Sequence, residues 1–157
     1  MSTATETTRE ADVSTANWRA GAVGGIVGAL VMGALVAVMN AAVLAVAIPS
    51  LYGLAPPPNL LLGFLVHAFH GAVLGLVFVG IASALGYDST GKLVGLGLGW
   101  GVVTWVVLAG LVMPVWLSAV GSPASPPLPN FAPPSLLWHA VYGLVLGGVY
   151  AVATGER

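Results

Sequence analysis

Two stretches without a single Asp, Glu, Lys or Arg, residues 20–87 and 93–155, make up most of this 157-residue chain. Water-facing surfaces need charge, and about a quarter of the residues in an ordinary soluble domain carry one. Here only 6% are charged and 58% are hydrophobic. Such a chain cannot cover itself against water, so its solvent must be lipid. Within lipid every backbone N–H and C=O has to be satisfied inside the protein, which leaves helices or a closed barrel. The apolar runs show no alternation of period two, so they read as helices.

Four runs are long enough to span: about 20–48, 60–86, 92–120 and 135–154. A spanning helix needs roughly 20 residues, and the first three exceed that, which implies tilt or protruding ends. The expected fold is all-α, a transmembrane four-helix bundle occupying residues 18–157. Residues 1–17 are polar and Thr-rich, with Glu6, Glu10 and Asp12 against Arg9. They lack the basic start and short apolar core of a secretory signal, and read as a disordered cytoplasmic tail.

The four basic residues set the orientation. Arg9 and Arg19 precede the first helix, Lys92 opens the third and Arg157 ends the chain, while connections 49–59 and 121–134 carry no charge. The positive-inside rule places both termini in the cytoplasm and the chain in the cell membrane as a multi-pass protein. Trp18 and Tyr87 then lie at the inner interface, and Tyr52, Trp116 and Trp138 at the outer one. The outer connections are rich in proline, from Pro56-Pro57-Pro58 to Pro133-Pro134, with Ser135 placed to cap the fourth helix.

The stretch His67-Ala68-Phe69-His70-Gly71-Ala72-Val73-Leu74-Gly75-Leu76-Val77 returns as His139-Ala140-Val141-Tyr142-Gly143-Leu144-Val145-Leu146-Gly147-Gly148-Val149, with seven of eleven positions identical. At the same offset Gly25 meets Gly97 and Ala29 meets Gly101. The bundle therefore reads as two tandem two-helix repeats related by a pseudo-two-fold along the membrane normal. Lipid offers no hydrophobic drive between helices, so small residues must let backbones approach. Gly71, Gly75, Gly143 and Gly147 are the expected packing positions on helices two and four, and Gly95/Gly99 and Gly97/Gly101 form two small-xxx-small pairs on helix three.

With no carboxylate or basic side chain in the spans, a proton-coupled carrier or a voltage sensor is disfavoured. The remaining polar groups are Asn40, His67, His70, Thr104, His139 and Tyr142. His67 and His70, three apart, share a helix face, and His139 with Tyr142 repeats it. Pro114 lies near the same layer and leaves the Gly110 carbonyl in need of a partner. Three readings follow. In the first, the imidazoles, Asn40 and Tyr142 hydrogen-bond one another and hold the helices in register. In the second, paired imidazoles hold a b-type haem, or His67, His70 and His139 a metal. In the third, the layer lines the passage of a small channel or transporter acting as an oligomer, or a quinone pocket. Without cysteine there is no thiolate chemistry, and no phosphate-binding loop or His-Glu-x-x-His occurs. No basic stripe suggests nucleic acid. The chain is expected to be no enzyme but a membrane subunit. Its partners are the lipid bilayer and either copies of itself or other subunits, since charge-free outer loops are more comfortable covered than in bulk water.

The repeated His-Ala-x-His/Tyr-Gly-x-Val-Leu-Gly helices, the basic flanks and the charge-free proline loops, over residues 18–154, resemble a group of small four-span membrane proteins of halophilic archaea. The resemblance implies the fold and brings no activity with it. Some of that group are labelled histidine kinase, but a kinase needs an ATP-binding domain on the order of 100 residues or more, and residues 1–17 have no room for one.

Overall fold

A computed structural model describes residues 18–155, and the tail expected over residues 1–17 lies outside them. Four helices long and apolar enough to cross a membrane are present: α1 (Trp18–Ser50), α2 (Leu60–Ala84), α3 (Thr90–Ala119) and α4 (Pro133–Gly155). The chain is an all-α four-helix bundle and a multi-pass membrane protein. α2 starts where expected because Asn59 caps it, its side-chain oxygen accepting from the Leu62 N–H at 2.9 Å. α4 starts earlier than expected, at Pro133, where a missing N–H costs nothing in the first turn. Ser135 is therefore inside the helix and buried, not its cap.

The two hairpins are built alike. α1 lies against α2 so closely that a Cβ on Gly25 would strike the Gly71 carbonyl, and one on Gly71 the Gly25 carbonyl. Gly97 and Gly143 stand in the same relation between α3 and α4. Gly75 meets the Gly21 carbonyl and Gly147 that of Leu93. Of the two glycine pairs on α3, only Gly97/Gly101 faces a helix; Gly95 and Gly99 face open space.

The contact between hairpins is not alike on its two sides. α1 packs extensively against α4, whereas α2 and α3 hardly touch. The sequence explains this. α1 reaches α4 through Gly24, set against Leu146, and Gly28, set against Tyr142. At the repeat offset these glycines become Leu96 and Trp100 on α3. Bulky side chains there keep α3 from closing on α2 as α1 closes on α4. A cleft remains between α2 and α3.

The surplus length of α1 and α3 contains a break and widened turns. α1 breaks at Asn40, whose φ of −157° and ψ of 76° are not helical. Up to the break α1 is antiparallel to α2, with Gly33 against Phe64 and His67. Beyond it the chain turns back beside α2, so that the Leu44 carbonyl lies against Gly63 and Tyr52 reaches His70. Both long helices also widen into a π-helical segment just before a proline: Val43–Ala47 ahead of Pro49, and Trp105–Val112 ahead of Pro114. Proline removes the donor that the carbonyl four residues back would use. In each case a loop asparagine supplies it. The Asn59 N–H donates to the Ala45 carbonyl at 2.8 Å, and the Asn130 N–H to the Gly110 carbonyl at 2.9 Å. The partner that the Gly110 carbonyl needed is therefore loop backbone, which fastens the proline-rich connection to the helix end. Gly53 and Gly121 then turn the chain out of these ends with φ of 68° and 69°, a conformation that glycine adopts without penalty.

Toward the end carrying Lys92, Leu93, Phe78, Leu146 and Tyr150 are buried, and Phe78 meets the Tyr150 ring edge-on at 5.6 Å. Leucine at Gly71 or Gly143 should lower stability in detergent by about 1–3 kcal/mol or more, while leucine at Gly95 or Gly99, where nothing lies within 4 Å, should change little. Thermal unfolding of the four variants in one detergent checks this, and equal behaviour would mean that the glycine contacts do not hold the hairpins together.

Candidate functional site

The cleft between α2 and α3 opens into a cavity of about 810 Å³ in the half of the bundle that carries the proline loops. Its depth comes from all four helices. Ala29, Met32 and Val36 of α1 and Trp138 and Tyr142 of α4 form a buried floor. Leu108 and Ala109 of α3 and Leu74 of α2 form the sides. Ile48, Leu51 and Tyr52 from the folded-back end of α1, with Ala124, Pro126 and Asn130 of the long loop, close over it. Phe69 and Val73 on α2, and Val112 and Trp116 on α3, line the cavity and are also exposed, so they frame a lateral mouth toward the surrounding lipid.

The six polar residues singled out in the sequence, Asn40, His67, His70, Thr104, His139 and Tyr142, all line this cavity. They do not form the mutual network that one reading expects. The Tyr142 hydroxyl crosses the bundle and donates to the Gly71 carbonyl at 3.1 Å, tying α4 to α2 where the second helix contact is missing. His139 Nδ1 donates to the Ser135 carbonyl one turn back at 2.7 Å. The buried Thr104 hydroxyl donates to the Gly101 carbonyl at 2.9 Å. His70 Nε2 pairs with the Tyr52 hydroxyl at 2.6 Å, fastening the folded-back segment of α1 to α2. His67 packs its ring against Gly33 beside the Ala29 backbone, and its buried Nε2 takes no hydrogen bond. Asn40 is exposed at the break in α1 and pairs with none of the imidazoles. The physical reason is proximity along the helix: a backbone carbonyl one turn away, or across a glycine contact, is nearer than another polar side chain.

Several lining residues carried no site signal in the sequence. Tyr52, Trp116 and Trp138 read as interfacial aromatics, yet each bonds inward. Trp116 Nε1 donates to the Leu51 carbonyl at 2.9 Å, and Trp138 Nε1 to the Met39 sulfur at 3.1 Å. The one usable signal was the loss of Gly24 and Gly28 at Leu96 and Trp100, which foretells a gap between α2 and α3.

The cavity wall carries no Lys or Arg to meet the propionates of a haem. His67, His70 and His139 do not converge into a metal-holding group among the described residues. What the wall offers is a large apolar surface with a few neutral hydrogen-bonding groups, the usual make-up of a small-molecule site, and its volume falls within the roughly 300–1,000 Å³ of such sites.

Residues 15–157 match the model of a family described as a family of unknown function, DUF6789, and the chain belongs to that family. No curated protein and no solved structure matches it.

Tyr142→Phe removes the one side-chain bond from α4 to the α2 backbone. The Gly71 carbonyl sits in the middle of a helix, so the loss should be modest, about 1 kcal/mol. Unfolding in detergent measures it, and a loss of several kcal/mol would show that this bond, and not the glycine contacts of both helices with α1, holds α4 and α2 together.

Proposed function

We propose that this protein is a non-enzymatic subunit of the cell membrane that holds a lipophilic small molecule in the cavity between α2 and α3. The observation that carries the reading is the lateral mouth. A cavity whose rim residues Phe69, Val73, Val112 and Trp116 are exposed toward lipid admits a molecule dissolved in the bilayer without passage through water. The neutral wall favours an uncharged occupant, because an ion would meet no counter-charge in a low-dielectric site. The densely filled core behind the floor, from Phe78 to Tyr150, favours holding over conduction through a single chain. The charge-free loops over the cavity favour a covering partner, either another copy or a different membrane subunit.

Extraction of the protein from its native membrane should yield a bound lipophile in roughly stoichiometric amount, detected by mass spectrometry of the organic extract. Val73→Trp fills the mouth from an exposed position and should cut the bound amount by about tenfold with the fold retained. Wild-type protein that carries nothing above the level of bulk lipid would sink the reading.

Arg19 and Lys92 at one end of the bundle support a reading in which both termini are cytoplasmic and the cavity lies in the outer leaflet. A Ser125→Cys variant should accordingly react with a membrane-impermeant maleimide on intact cells. Reaction only after permeabilisation would reverse the orientation.

A further inference from the structure

On the α3–α4 side of the cavity most polar protons, the Ser135 hydroxyl excepted, are already directed at the protein itself. The Thr104 hydroxyl donates to the Gly101 carbonyl and the Tyr142 hydroxyl to the Gly71 carbonyl. A carbonyl can only accept, so the 2.7 Å contact between His139 Nδ1 and the Ser135 carbonyl puts the imidazole proton on Nδ1. His139 Nε2 is then a lone pair. The indole N–H groups of Trp116 and Trp138 are likewise directed at Leu51 and Met39. The amides of Asn40 and Asn130, which can donate, belong to the break in α1 and to the loop. Deep in the cavity, Thr104, His139 and Tyr142 therefore present acceptors, and the Ser135 hydroxyl, which also lines the cavity, can donate or accept beside them.

The His139 lone pair selects its complement. A ketone or ether oxygen has no proton to give and would leave His139 Nε2 unmet in an apolar site. An ammonium group would find donor-seeking oxygens but no carboxylate, and a carboxylate or phosphate would find no cation. A neutral hydroxyl meets the wall with its proton and keeps its own oxygen for the Tyr52–His70 side.

We propose that the occupant of this cavity is a hydroxyl-headed lipophile, an isoprenoid-type alcohol or a hydroquinone, whose O–H donates to His139 Nε2 with Thr104 and Tyr142 beside it. The inference rests on the reading that the cavity holds a lipophile. It adds the chemical class of the head and the residue that recognises it. The lateral mouth at Phe69 and Val73 lets a chain extend into the bilayer while the hydroxyl enters.

The test compares probes on the full-length chain in detergent by native mass spectrometry and thermal shift. Geranylgeraniol should bind about tenfold or more tightly than its methyl ether, which matches it in apolar surface but lacks the proton. Its carboxylic acid counterpart should bind more weakly still. A prenylated hydroquinone kept reduced, compared with its quinone, distinguishes a phenolic source from an alcoholic one, and in either case the hydroxyl form should win. His139→Phe, and separately Thr104→Val as a milder change, should keep ether binding and lose most of the preference for the alcohol. Equal affinity of alcohol and ether, a preference for the quinone or the acid, or a preference that survives in both variants overturns the inference while leaving the cavity reading in place. Failure of every probe to bind overturns both.

Discussion

Close approach of backbones at glycine is the constraint on which the rest of this structure depends. In lipid, apolar side chains gain nothing by leaving their surroundings, so helices associate where their backbones come near enough for dense van der Waals contact. Gly25 on Gly71 and Gly97 on Gly143 achieve this within each hairpin, and Gly24 and Gly28 achieve it between α1 and α4. Where the glycines stop, association stops. Leu96 and Trp100 stand where a fourth contact of the same kind would need small residues, and the bundle is left open on that side. The cavity is thus a product of the same rule that closes the other three contacts.

Backbone hydrogen bonding supplies the second constraint. A proline near the end of a spanning helix frees a carbonyl in a place where water is scarce, and that carbonyl has to be met. Both long helices meet it by the same device, an asparagine N–H from the proline-rich connection, at Ala45 and at Gly110. The device has a consequence for the site. It draws each connection down onto the helix end, which brings Asn130 and the adjoining loop over the cavity. The folded-back end of α1, held by Tyr52 on His70, closes it from the other side. The polar side chains around the cavity serve this architecture first: Tyr142 bridges α4 to α2, and Thr104 and His139 satisfy carbonyls of their own helices. What they leave over, a set of lone pairs in an apolar space, is the chemistry available for a ligand.

Much of this was legible in the residues alone. The absence of charge over residues 20–87 and 93–155 determined the solvent, and the solvent determined that the elements are helices. Their number, their approximate ends and the glycines on which each hairpin closes follow from runs and spacings read along the chain. These are local properties: a span needs only its own twenty or so residues, and a small-residue stripe needs only a helical period. The equal hairpins were visible for the same reason, since Gly71 and Gly143 carry the same neighbours in sequence.

Tertiary structure alone decided where the polar groups point and what they touch. The sequence suggested that imidazoles, Asn40 and Tyr142 would bond to one another, but each group with a bond found a nearer backbone or loop partner, and Asn40 became the place where α1 breaks. No pattern along the chain announced that α1 would turn back beside α2, because that turn depends on Leu44 seating against Gly63 and Asn59 reaching Ala45, contacts between residues of different helices. Periodicity assigns a side chain to a face of its own helix. It cannot say which faces meet, or how far apart they stand, when the space between them is decided by side chains such as Trp100 on a third element. The helices and their pairing within each hairpin were determined by the sequence, and the opening between α2 and α3, with everything that lines it, by the packing of the whole.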